Sequence, residues 1–196
     1  MIDLLNKSLK ALLNLLLKSE KKDVSIMEEY NTRNNQEVSM IDLATRIISE
    51  EEGFRNEVYL CSEGYPTVGL GLRIGLQDQS LDDFAGFPLM PEVVAEKWME
   101  SHIHEIIERM HNYPLMDSAF RYSNDVQKAV IISMCYQLGM VGAAKFKNTW
   151  NAVIARDLVE AKVQMKDSLW YKQSPNRVSR QAEMMETGVI LPYYGV

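Results

Sequence analysis

Three residues at fixed spacing in the first third of the chain could together break a glycosidic bond. Glu52 is followed after eight residues by Cys61, and after five more by Thr67, within the stretch EGFRNEVYLCSEGYPTVGLG at 52–71. Hydrolysis of such a bond needs a proton donor for the leaving oxygen and a second group that handles water or the anomeric carbon. Glu52 is the candidate donor, held protonated by burial or by its acidic neighbours Glu50 and Glu51. A thiol is no neutral base, but as a thiolate Cys61 could activate water or attack carbon. The Thr67 hydroxyl could hold the attacking water. Each residue also has a plainer reading: a solvated acidic run, a half-buried free cysteine, a strand threonine. On composition alone the plain reading of Glu52 prevails; the joint arrangement at a helix end and a hairpin carries the expectation.

The flanking pattern supplies elements to position them. Ser39 with Asp42 three residues later forms a capping-box signature. Ile41, Leu43, Ala44, Ile47 and Ile48 then make a helical stripe that ends near Glu52–Gly53, so the Glu52 carboxyl would overhang a cleft. Residues 57–74 read as a strand pair broken at Gly64-Tyr65-Pro66, the second strand ending in Gly69-x-Gly71 and letting backbone approach a ligand. Residues 77–86 are acidic and irregular. Pro91 sits where a first helical turn would begin, and the helical pattern to His111 is about 30 Å long, enough to join two lobes. After Pro114 everything reads helical: Ser123 or Asn124 capping 126–138, Gly139 ending it, then 143–155 and 159–165. Ser174 caps a last helix with Pro175 in its first position, and Arg177 and Arg180 lie one turn apart on it.

Charge and composition narrow the function. Of 21 basic and 27 acidic residues, 1–40 carry six of each, so the net charge of −6 sits wholly in 41–196. That argues against nucleic-acid binding, which needs a basic face, and gives no long-range attraction to anionic wall polymers. Two cysteines, Cys61 and Cys135, make no disulfide framework, and folding in a reducing cytoplasm is the default. No apolar run is long enough to span a membrane, and no signal-peptide pattern is present. His102, His104 and His111 share one helix but not one face, so they read as solvated rather than metal-binding; no metal or cofactor is expected. The twelve methionines read as core filler.

Three segments are expected: residues 1–23 as an amphipathic helix, 24–38 as a polar linker and 39–196 as the domain. Within 2–18, Leu5, Leu9, Leu12 and Leu16 share one face, with Lys7, Lys10 and Lys18 on much of the remainder. The favoured reading is packing on the domain or on a second copy. The sharper alternatives are docking to a partner assembly or lying on a membrane surface.

The 52–71 stretch resembles the active-site segment of the phage-type lysozymes, glycoside hydrolase family 24, which include the lysozymes of T-even phages. Their pattern of Glu, eight residues, Asp or Cys, five residues, Thr is met by Glu52, Cys61 and Thr67. MCYQLG at 134–139 and WYKQSPNR at 170–177 resemble that family's second-lobe segments in order and spacing, and the likeness covers about residues 41–190. The resemblance implies an α+β, mostly helical, two-lobed fold: a small β-hairpin lobe, a long linking helix and a helical second lobe, with a sugar polymer bound between. It implies cleavage of the β-1,4 bond from N-acetylmuramic acid to N-acetylglucosamine in bacterial peptidoglycan. Glu52 would be the general acid, Cys61 the nucleophile or water activator, and Thr67 the water holder. Arg177 would face the acid across the cleft, and Arg180 would pair with Glu51. Tyr136, Gln137, Thr149 and Gln164 would line the sugar cleft. The family also implies action on the wall after holin-dependent release from a host cytoplasm, or carriage on a virion or tail assembly through residues 2–18.

The chain departs from the pattern in places. Leu72 stands where the hairpin usually ends in histidine, and Ser101 where that histidine's aspartate partner is expected. Losing both members of a surface-type pair leaves no lone charge, so little catalytic effect is expected. A short segment between hairpin and second lobe is missing. These changes and the acidic domain motivate a rival reading: a non-catalytic protein of the same fold that binds wall glycan or a partner protein.

Overall fold

The computed structural model describes residues 39–61 and 63–195. The helix expected over 1–23 and the linker over 24–38 lie outside the described residues. Helix α1, Met40–Glu52, starts at the expected box: Ser39 Oγ accepts from the Asp42 N–H at 3.2 Å, and Asp42 Oδ2 accepts from the Ser39 N–H at 3.1 Å. Leu43, Ala44, Ile47 and Ile48 form its buried stripe. Gly53 closes it, its N–H bonding the Ser49 carbonyl at 2.9 Å. Glu52 is therefore the last helical residue.

The sheet differs from the expected two-stranded hairpin. Strands β1 (Arg55–Leu60), β2 (Pro66–Gly69) and β3 (Leu72–Arg73) form a three-stranded antiparallel sheet in sequence order. Gly69 and Gly71, at φ +66° and +88°, turn the chain back after β2, a conformation open chiefly to glycine. A side chain on Gly69 would also come within 2.8 Å of Met90 Sδ, so the same residue lets the sheet lie close against the Met90 side chain. Thr67 pairs with Tyr59 on one side and Arg73 on the other.

After a short 3-10 turn at Leu81–Phe84 comes α2, Glu92–Met110. Pro91 is its N-cap rather than its first helical residue, a one-residue difference. Ala95, Met99, Ile103, Ile106 and Met110 make its buried stripe.

The helical lobe comprises α3 (Pro114–Tyr122), α4 (Asp125–Ala144), α5 (Lys147–Ile154), α6 (Leu158–Lys166), α7 (Leu169–Gln173) and α8 (Pro175–Thr187), closed by a 3-10 turn at Pro192–Tyr194. Its axis is α4, whose residues 129–135 are all buried, as befits a helix apolar all round. Helices α1, α2, α3 and α8 pack on it. Asn124, not Ser123, caps α4, in a capping box with Gln127. Gly139 breaks the helix at φ 68°, ψ 162°, but helical structure resumes to Ala144 instead of ending there. Nine methionines, among them Met134, Met184 and Met185, are buried in the core. The result is the expected mostly helical α+β architecture. Among the described residues no single helix is long and apolar enough to cross a membrane.

Candidate active site

A groove of about 660 Å³ runs between the β2–β3 turn, α2 and α4, with Glu52 in its wall. Glu52 arrives there because Gly53 stops α1, and its carboxyl is fixed from α8. Arg177, 7% exposed, donates from Nη1 to Glu52 Oε1 at 2.7 Å. Its Nη2 donates to Ser133 Oγ at 3.1 Å, and Gln181 Nε2 donates to the same oxygen at 2.9 Å. Ser133 on α4 thus holds the guanidinium that holds the acid. The Glu52 side chain keeps 27% of its surface exposed, and its second oxygen makes no hydrogen bond among the described residues.

One residue earlier, Glu51 is almost fully buried and takes a two-pronged contact from Arg180 Nη2 at 2.8 and 2.9 Å. The Tyr194 hydroxyl donates to Glu51 Oε1 at 2.6 Å, and the Tyr193 ring lies under the Arg180 guanidinium. Burial, then the hydrogen bond to Glu51, pushes the Tyr194 phenol well above its usual range. Adjacent acids at one helix end are thus separately clamped by two arginines one turn apart on α8.

Cys61 and Thr67 sit together on the sheet, outside the residues that line the groove. Cys61, directly after β1, is partly exposed, and its N–H bonds the Tyr65 carbonyl at 3.0 Å. Backbone hydrogen bonding from Tyr65 foremost, then from Glu63, with the Thr67 hydroxyl and the Arg73 charge, lowers the thiol pKa from its ordinary value. Thr67, 2% exposed, donates to the Tyr65 carbonyl at 2.8 Å; its one proton serves either that carbonyl or the sulfur. Tyr59 pairs with Thr67 across the sheet. Its phenol is raised mainly by burial, opposed by Arg55 and reinforced by both Cys61 and Glu52.

The sequence model of the phage lysozyme family matches residues 49–182, across groove, sheet and helical lobe. The chain belongs to the phage lysozyme family. That makes it kin to glycoside hydrolases. It is 25% identical over 169 residues to "Probable T4-type lysozyme 1" of Dictyostelium discoideum, covering 79% of this chain and 99% of the relative. It is 29% identical over 186 residues to "Pre-baseplate central spike protein Gp5" of Enterobacteria phage T4, covering 87% of this chain and 31% of that protein. It is 26% identical over 144 residues to "Peptidoglycan hydrolase gp36" of Pseudomonas phage phiKMV, covering 71% of this chain and 15% of that one.

The residues expected to line the sugar cleft are placed unevenly. Tyr136 and Gln137 line the groove beside Glu52, yet their polar atoms are largely engaged. The Tyr136 hydroxyl donates to the Leu70 carbonyl at 2.6 Å, and burial drives its pKa far up. Gln137 accepts from Trp170 Nε1 at 2.7 Å and donates to Ser174 Oγ at 3.3 Å. Ser174 occupies the cap position of α8 but makes no capping hydrogen bond. Thr149 and Gln164 do not reach this groove. They line a second cavity, of about 570 Å³, in the helical lobe, where Thr149 is buried and Gln164 is bonded to Asn148 and Glu160. The spacing that suggested them counted residues along helices α5 and α6 whose faces only packing fixes. Leu72 and Ser101 both line the groove, so the departure from the family pattern lies in the cleft wall, not on an outer surface. Sequence reasoning missed Ser133, Gln181 and Tyr194, for which no local signal exists, and the groove position of Trp98 and His102.

Proposed function

We propose that this protein is an endo-acting muramidase. It hydrolyses the β-1,4 bond between N-acetylmuramic acid and N-acetylglucosamine in bacterial peptidoglycan, with Glu52 as general acid. The observation that carries this reading is the Glu52 carboxyl, anchored through one oxygen by buried Arg177 and open to a groove through its surroundings. Fixing one oxygen leaves the other to meet the leaving glycosidic oxygen in a defined direction, and positional constraint of this kind is a large part of catalysis. The Cys61 thiolate activates water or attacks the anomeric carbon, with Thr67 holding the water. Tyr136 and Gln137 shape the cleft. The two peptidoglycan-related names among the relatives, a lysozyme and a peptidoglycan hydrolase, support the substrate class.

The decisive experiment digests purified cell wall and reads the new reducing ends. Wild type should clear the wall and leave reducing N-acetylmuramic acid, and Glu52→Gln should clear none. Reducing N-acetylglucosamine would move the cut to the other bond, and full activity in Glu52→Gln would remove the general-acid role. The anomer of the fresh product then separates the Cys61 roles: retention follows from a thioglycosyl intermediate, inversion from direct water attack across roughly 6.5–9.5 Å between the two groups.

For delivery, the name of the spike-protein relative supports carriage on a virion. We propose that residues 2–18, by their amphipathic sequence, attach the enzyme to a virion or tail assembly, from which it acts on the wall.

A further inference from the structure

The one exposed tryptophan lies in the groove. Trp150 and Trp170 are buried, at 0% and 2% exposure, whereas Trp98 is 46% exposed. Exposed apolar side chains scattered singly are ordinary. Trp98 is different in its company. It lines the same groove as Glu52, on α2, followed at one and two turns by His102 and Glu105, which line it too. Positions i, i+4 and i+7 share a helix face and span about 10 Å along it.

His102 has partners on both sides. His102 Nδ1 lies 3.2 Å from Glu105 Oε2, and the imidazole stands edge-on to the Tyr136 ring at 5.6 Å and 83°. Tyr136 is itself tied to the sheet by its bond to Leu70. Strand β3 contributes the apolar side chain of Leu72 to the groove.

We propose that Trp98, His102 and Glu105 form a saccharide subsite on the α2 wall of this groove. The proposal rests on the glycosidase reading above. A β-linked pyranose presents an apolar C–H face and a polar rim of hydroxyl and acetamido groups. An indole half in water carries the first, and an adjacent imidazole–carboxylate pair meets the second. The occupant is a glycan rather than an extended peptide, because Tyr136 already takes the Leu70 carbonyl, a backbone acceptor that strand-like binding would use. Continuity with the wall that holds Glu52 puts this row on the path of the same glycan strand.

The test uses the full chain as Glu52→Gln and a peptide-free tetrasaccharide of alternating N-acetylglucosamine and N-acetylmuramic acid. Acrylamide quenching reads Trp98, since the other two indoles are buried. Saturating tetrasaccharide should lower the quenching constant about threefold. Trp98→Ala should weaken tetrasaccharide binding by calorimetry about tenfold, a difference of about 1.4 kcal/mol, and Trp98→Phe should restore most of it. In the active background Trp98→Ala should raise KM on cell wall with kcat within about twofold, and the melting temperature should not move.

Binding that leaves Trp98 fully quenchable, or that survives Trp98→Ala unchanged, overturns the subsite while wild-type wall clearing stands. Trp98-dependent binding of a free wall stem peptide, with none of the saccharide, overturns the choice of ligand. Absence of both tetrasaccharide binding and wall clearing by the wild type overturns the muramidase reading together with the subsite.

Discussion

Ser133 is a small hydroxyl with a large share in the geometry of the acid. It is fully buried and accepts from both Arg177 and Gln181. Ser133→Ala strands two buried donors, one of them charged, at about 1–3 kcal/mol. The expected outcome is a lower unfolding midpoint in denaturant and a fall in kcat larger than any change in KM, because the released guanidinium no longer fixes Glu52. Unchanged kcat per folded molecule would make Ser133 a packing residue only. The two cysteines differ as sharply. Burial pushes the Cys135 thiol up to about 12, while hydrogen bonds and Arg73 draw partly exposed Cys61 below its ordinary value. Native protein should therefore take up one iodoacetamide, on Cys61, read by peptide mass. If the Cys61 thiolate works in catalysis, activity has a limb that rises with pH through this lowered pKa. Removing the Arg73 charge in Arg73→Ala, which destabilises the thiolate, should shift that limb to higher pH. An unmoved limb, or full activity after alkylation, would take Cys61 out of the chemistry.

The elements explain why Glu52 and Arg177 meet at all. They are 125 residues apart in sequence, and each lies near a helix end fixed by local chemistry: Gly53 after α1, Pro175 at the start of α8. Both helices pack on α4, so α4 sets their separation. The break at Gly139 lies just beyond the groove residues Tyr136 and Gln137 and redirects the helix into the second cavity's wall. Its backbone, at φ 68° and ψ 162°, belongs to a region almost exclusive to glycine, and a Cβ there would touch nothing within 4 Å. Gly139→Ala thus isolates backbone strain, with an expected loss of about 1–3 kcal/mol in chemical denaturation. A neutral result would mean the break relaxes into a continuous helix. The sheet makes the opposite point. Its third strand was hidden because Gly69-Leu70-Gly71 reads equally well as a strand end or as a reversal; the chain reverses there, where a side chain on Gly69 would collide with Met90 and Ala95.

At the scale of the whole chain, the net charge of −6 falls outside residues 1–40, so under the proposed function the domain would meet an anionic wall polymer without electrostatic steering. Holding the enzyme near the wall by attachment offsets that weakness through local concentration. The attachment proposed for residues 2–18 predicts that the full chain co-sediments with virions or tail particles, whereas a variant lacking 1–38 stays in the soluble fraction and clears purified wall at an equal rate. Equal sedimentation of both forms would leave the leader without this role.

The features legible from sequence were local: the helix stop at Glu52–Gly53, the capping box at Ser39 and the interruption at Gly139, although the cap of α4 stayed open between Ser123 and Asn124 and the helix resumes after the glycine. Such features rest on interactions within a few residues, where hydrogen-bonding and backbone rules act without reference to the remainder of the chain. Tertiary structure alone decided the rest. Ser133 and Tyr194 became partners of the charged pairs, Thr149 and Gln164 went to a separate cavity, and Trp98 faced the groove. Which face of a helix meets which neighbour is set by the packing of the whole core, and no pattern inside the helix encodes it.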